Sequence, residues 1–156
     1  MKNIKDILTI RDELDEVREG VNEVSSLINV LSVAIDESAK YVKERKQFGR
    51  AIAKFQNTQF RLADMQTKVD AARLLVYRAA CAKDAGQAYS VYAAMAKLFA
   101  SETAMEVTTK AVQLHGGYGY TRDYPVERMM RDAKITEIYE GTSEVMKMVV
   151  SANMLK

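Results

Sequence analysis

ILTIRDELDEVREGVNEVSSLINVLSVAI, residues 7–35, is the stretch whose reading decides the fold class. Its apolar residues fall at Ile7, Ile10, Leu14, Val17, Val21, Val24, Ile28, Leu31 and Ile35. The steps alternate between three and four, which lines them along one face of a helix in heptad register. Arg, Glu, Asp, Asn and Ser fill the positions between, as a solvated face requires. Gly20 is the weak point, costing about 1 kcal/mol against Ala. The pattern continues through Ala39 and Val42 to Lys46, which predicts a helix of unusual length. Two structures satisfy this spacing: one long helix inside a bundle, or a coiled-coil segment that pairs with another chain.

Working outward, Gln47-Phe48-Gly49-Arg50 breaks the pattern, and Gly49 suits the left-handed conformation that ends a helix. A second helix is predicted from about Lys54 to Ala85, with its stripe at Phe55, Thr58, Leu62, Met65, Val69, Ala72, Val76 and Ala79. Asp84-Ala85-Gly86 is too short for anything but an antiparallel return. A third helix follows from about Gln87 to Leu114, with Tyr92, Ala96, Phe99, Thr103, Val107, Ala111 and Leu114 inward. Pro125 suits the first turn of a short helix ending near Lys134. A last helix runs from about Thr142 to Leu155. No segment alternates with period two for long, so no sheet is expected. The prediction is an all-α, up-down-up-down four-helix bundle with an additional short helix, one domain over residues 1–156. Leu62, Met65, Val69, Phe99, Val107, Val145 and Val149 are expected inside.

Bulk properties narrow the function classes. Hydrophobic residues make up 48% and charged residues 28% of the 156, a globular balance with too little chain for two ordinary domains. The net charge is +2, with basic residues interleaved among acids, which argues against nucleic acid and an anionic membrane surface. No apolar run approaches a membrane span. The single Cys81 cannot close an internal disulfide, which fits a cytoplasmic protein. One His and one Cys leave no metal-ligand cluster.

Two stretches carry chemistry. His115-Gly116-Gly117-Tyr118-Gly119-Tyr120 is a Gly-rich loop whose backbone can approach a neighbour or ligand closely. No strand precedes it, so it is not a dinucleotide fingerprint. A lone His after a helix is more often structural than catalytic. Tyr139-Glu140-Gly141-Thr142-Ser143 places a carboxylate in a tight turn between helices. Such residues can mark a helix boundary and nothing more, or they can hold a general base.

Four stretches together resemble the C-terminal helical domain of the acyl-CoA dehydrogenase family, in its short-chain, butyryl-CoA form. They are Tyr41 to Arg50 (YVKERKQFGR), Gln113 to Tyr120 (QLHGGYGY), Tyr124 to Lys134 (YPVERMMRDAK) and Ile138 to Ser143 (IYEGTS). The resemblance covers residues 36–156. It implies an FAD-dependent α,β-dehydrogenation of an acyl-CoA thioester with Glu140 as the base. The backbone N–H of Glu140 would also donate to the thioester carbonyl. Arg45, Gln47, Phe48 and Ile52 match positions that hold the pyrophosphate and adenosine of FAD bound mainly to a neighbouring subunit. Gln113 and Gly117 match the loop closing on that nucleotide, and Thr142 and Glu144 match positions near the FAD of their own site. Tyr139 matches a residue lining the acyl pocket. A site assembled in this way implies a homo-oligomer, and the family's partners are acyl-CoA and an electron-transfer flavoprotein.

Residues 1–35 do not resemble the family in this reading. Asn22, Glu23, Ser25, Ser26 and Asn29 fall where it is small and apolar. The expectation is an excised or engineered bundle with a rebuilt first helix, inactive by itself and holding no FAD alone. A subunit of an active dehydrogenase and a helical oligomerisation module are the alternatives.

Overall fold

The structure, a computed structural model, describes the backbone of residues 4–155 and the side chains of residues 24–155. The seam positions Ile7, Ile10, Leu14, Val17 and Val21 lie outside the described side chains. The first helix, α1, spans Ile4–Glu44. From residue 24 on its seam is buried: Val24, Ile28, Leu31, Ile35 and Val42 all face the core. Ser25, Ser26 and Asn29 are exposed, so these polar residues sit on the outer face.

Here the structure departs from the sheet-free expectation. A two-stranded antiparallel hairpin follows α1: β1 is Lys46–Gln47 and β2 is Arg50–Ala51, in register Lys46↔Ala51 and Gln47↔Arg50. Strands of two residues are too short to show alternation, so periodicity has nothing to detect. A 3₁₀ turn at Ile52–Lys54 leads into α2, Gln56–Asp84. Thr58, Met65, Val69, Ala72, Val76 and Ala79 of its predicted stripe are buried, and Leu62 is half-buried.

Helix α3, Ser90–His115, is the spine, and α1, α2, α5 and α6 all pack on it. Its buried residues include Ala93, Ala94, Ala96, Ala100, Ala104 and Ala111. Such small side chains let several helices approach one axis. A single helical turn, α4 (Gly117–Tyr120), stands where a loop was expected. At Gly119 an added Cβ would lie 2.5 Å from the Val112 carbonyl oxygen, so only glycine lets this turn fold back against α3. Helix α5 spans Val126–Ile135, and α6 spans Ser143–Met154.

The core expectation holds for Met65, Val69 and Val107, which are fully buried, while Leu62 and Phe99 are half-buried at its edge. It fails for α6. Val145 and Val149 are 43% and 37% exposed. This helix turns Ser143 and Met146 inward instead, because it rests on α3 along one narrow stripe. The two valines share a stripe rotated away from it.

Candidate active site

The end of α1, the hairpin and the end of α3 surround one cleft of about 530 Å³. Arg45, Gln47, Ile52, Gln113 and Gly117 all line it, together with Tyr41, His115 and Tyr118. Five of the residues singled out in the sequence therefore meet, although they come from two separate stretches, 45–52 and 113–117. Phe48 does not line the cleft. It sits at the hairpin tip, 92% exposed, with its ring edge-on to Phe55 at 6.4 Å.

The cleft floor is aromatic. The Tyr41 and His115 rings stack with centroids 4.3 Å apart, and Tyr124 lies 5.2 Å from Tyr41 and 5.0 Å from His115. The Tyr41 hydroxyl donates to the His115 carbonyl at 3.2 Å. Burial pushes the Tyr41 phenol up, opposed by the nearby Arg45 cation. His115 is buried, with Nδ1 2.8 Å from the Ala111 carbonyl oxygen and Nε2 lacking a partner among the described residues. The Arg45 guanidinium stands 5.7 Å from the Tyr118 ring centre. A cation, two carboxamides, an aromatic floor and the glycine backbone at Gly116–Gly117 make a donor set for a phosphate joined to a flat heterocycle. These residues could, by their chemistry, hold the adenosine and pyrophosphate portion of a dinucleotide.

Glu140 and Tyr139 lie elsewhere, at the turn between α5 and α6. Both border a narrow crevice beside Lys97, Ser101 and Thr136. Glu140 has φ 50°, in the left-handed region that non-glycine residues rarely adopt, and Gly141 follows at φ 92°. Two consecutive left-handed residues turn the chain sharply between α5 and α6. An added Cβ at Gly141 would lie 2.6 Å from the mobile end of the Met146 side chain, which could move aside, so it is the positive φ that favours glycine there. Thr142 caps α6, its hydroxyl accepting from the Val145 N–H at 3.4 Å. Glu144 sits in the first turn, and its own backbone N–H and then the Thr142 hydroxyl hold its carboxyl below the usual range.

Sequence reasoning missed Lys97. It is 6% exposed on α3, and its ammonium donates to the Gly141 carbonyl at 2.5 Å. The available signal was one lysine inside the apolar run Ala93 to Ala100. Tyr41 was likewise read only as a motif member. Among the described residues no cluster of His, Cys, Asp or Glu could hold a metal ion, and no helix is long and apolar enough to cross a membrane.

Comparison with known proteins places this geometry. The family model for the acyl-CoA dehydrogenase C-terminal domain matches residues 19–155, taking in part of α1 ahead of residue 36. A short-chain-specific acyl-CoA dehydrogenase of Clostridium acetobutylicum is 57% identical over 143 residues, 92% of this chain and 37% of that protein. A subunit of a caffeyl-CoA reductase–Etf complex from Acetobacterium woodii is 53% identical over 143 residues, 92% of this chain and 37% of its own. The structure of butyryl-CoA dehydrogenase from Megasphaera elsdenii superposes with a TM-score of 0.90 at 46% identity, over 92% of this chain and 38% of the other. The chain thus spans well under half the length of the relatives it matches.

Proposed function

Because this chain belongs to the acyl-CoA dehydrogenase family, as its C-terminal domain, we propose that it supplies the base and part of the flavin site for α,β-dehydrogenation of a short-chain acyl-CoA. The observation that carries the reading is the left-handed backbone of Glu140. A carboxylate on a strained turn beside a crevice is held for a purpose that packing does not explain. Glu140 takes the α-proton of the thioester on its carboxylate. Its backbone N–H donates to the thioester carbonyl as charge develops there. Tyr139 borders the acyl chain, and Thr142 and Glu144 stand near the same flavin. A bound flavin would supply the hydride acceptor for the β-carbon. Arg45, Gln47, Ile52, Gln113 and Gly117 hold the adenosine and pyrophosphate of a flavin whose ring serves a second subunit, with Phe48 reaching toward it from the hairpin tip. This division of labour requires a homo-oligomer, and an electron-transfer flavoprotein reoxidises the flavin.

The 156-residue chain by itself is inactive in this reading. Ile135, Ile138, Val145 and Met148 are exposed apolar residues flanking the base turn. They support a face that further protein covers in the working enzyme, excluding water from Glu140. The test has two parts. In a complete flavoenzyme carrying this domain, Glu140→Gln abolishes butyryl-CoA-dependent reduction of an electron acceptor while flavin absorbance is kept. The isolated chain shows no such reduction and no calorimetric heat with FAD or ADP. Turnover that survives Glu140→Gln overturns the assignment of the base.

A further inference from the structure

Lys97 presents an unusual problem in α3. A lysine ammonium buried to 6% exposure is costly unless it is paired and hydrogen-bonded. Helix α3 could have carried alanine there, as it does at Ala93, Ala96 and Ala100. Among the described residues, the partners of Lys97 come from one short segment. Its ammonium donates to the Gly141 carbonyl, and the carboxylates acting on it are those of Glu140 and Glu137. On the other side the crevice is closed by Val24 and Leu27 of α1 and by Ser101 of α3, none of them charged. Among the described residues lining this crevice Lys97 is the one cation, and it faces the turn that bears Glu140.

We propose that Lys97 is a positioning residue for Glu140: its buried ammonium clamps the Gly141 carbonyl, holding the left-handed turn, and keeps the neighbouring carboxylate ionised. The inference rests on the reading of Glu140 as the base. The carbonyl bond fixes one end of a two-residue segment at φ 50° and φ 92°, a conformation Glu140 would otherwise leave. The charge acts on the side chain. A cation lining the same crevice as a carboxylate favours its ionised form. A base must be ionised before substrate arrives, and covering the site with further protein would otherwise push Glu140 toward its neutral acid. Burial pulls the Lys97 amine below its ordinary range while Glu140, then Glu137, pull it back up, so the coupling runs in both directions.

Reciprocity supplies the test. The side-chain carboxyl of Glu140 and the Nζ of Lys97 are followed by NMR titration in the 156-residue chain. In Lys97→Met the Glu140 midpoint moves up. In Lys97→Arg, which retains the charge, it stays nearer the wild-type position. In Glu140→Gln the Lys97 midpoint moves down. That last variant alters no core packing, so it keeps the question open to measurement if Lys97→Met does not fold. An unchanged Lys97 midpoint in Glu140→Gln, or an unchanged Glu140 midpoint in a folded Lys97→Met, overturns the proposal. Neither result bears on whether Glu140 is the base. That is decided separately by acceptor reduction in Glu140→Gln of the complete enzyme. There, Lys97→Met lowers kcat roughly 10- to 100-fold through misplacement of the base and raises the acidic limb of the pH profile; loss of turnover with an unmoved limb counts against the electrostatic role.

Discussion

Tyr41, near the end of α1, stacks on His115, the last residue of α3, with ring centroids 4.3 Å apart, and its hydroxyl donates to the His115 carbonyl. One side chain thus satisfies a terminal carbonyl of a long helix and floors the cleft beneath Arg45. Two substitutions separate these roles. Tyr41→Phe keeps the stack and loses the hydrogen bond, costing about 1 kcal/mol. Tyr41→Ala also loses the aromatic packing against His115 and Tyr124, costing roughly 3–5 kcal/mol. Urea unfolding followed by circular dichroism at 222 nm measures both. Equal losses in the two variants would show that the stack contributes nothing.

Burial on α2, α3 and α6 makes a sharper contrast. Met65 and Val107 are fully buried, whereas Val149 is 37% exposed. Met65→Ala is expected to cost roughly 2–5 kcal/mol, through lost transfer energy and the cavity left behind. Val149→Ala is expected to stay within about 0.5 kcal/mol, as surface changes do. Thermal or denaturant unfolding of the two variants side by side checks the pair. A large loss at Val149 would mean that α6 packs with its other stripe inward.

That contrast shows where the sequence is legible. The stripe from Thr58 to Ala79 reads directly because α2 buries one side only, and one buried side keeps a clean three-four period. Helix α3 is covered on several sides, by α1, α2, α5 and α6 and by the short α4, so its pattern is diffuse and Lys97 passes for a surface lysine. Helix α6 has exposed apolar residues on more than one stripe, so hydrophobicity does not tell Val145 and Val149 from Met146. The cleft residues Arg45, Gln47, Ile52, Gln113 and Gly117 are a different case. Periodicity carries no information about them; motif resemblance picks them out, and only the folded chain brings α1, the hairpin and α3 to one place. The His115 Nε2, which lacks a partner among the described residues, has no signature in the sequence at all.

Glu106 of α3 ties α2 to α3 and gives a pH dependence of definite sign. It accepts from Lys110 at 2.7 Å and from Lys68 of α2. These bonds, Lys110 first, hold its carboxyl below the usual range despite some opposing desolvation. A carboxyl with a depressed folded-state pKa binds fewer protons folded than unfolded. Its contribution is therefore complete above the unfolded-state value, near 4.3 for a free Glu, and is lost as pH falls through the folded value. Glu106→Gln should lower stability at neutral pH and flatten the fall of stability with acid below about pH 5. Urea midpoints taken across that range test it. A variant whose acid slope matches the parent's would remove Glu106 from the account.

Phe48 carries the last prediction, because its backbone and its side chain make opposite demands. The hairpin turn is Phe48-Gly49, and both residues have positive φ, 51° and 77°. With Gln47 paired to Arg50, this is the two-residue type I′ geometry, which favours Asn-Gly. A bulky aromatic residue there is an outlier, and little in this chain repays it, since the side chain is 92% exposed. Phe48→Asn should therefore stabilise the isolated bundle, by about 0.5–1 kcal/mol, by removing backbone strain at one position. If Phe48 instead serves the nucleotide of a neighbouring subunit, the same variant in the complete enzyme should retain FAD less well, visible as faster loss of flavin absorbance on dialysis. A gain in stability together with a loss of flavin retention would show that strain at the hairpin tip is kept for the cofactor. A variant that gains stability and keeps its flavin would leave Phe48 without a role there.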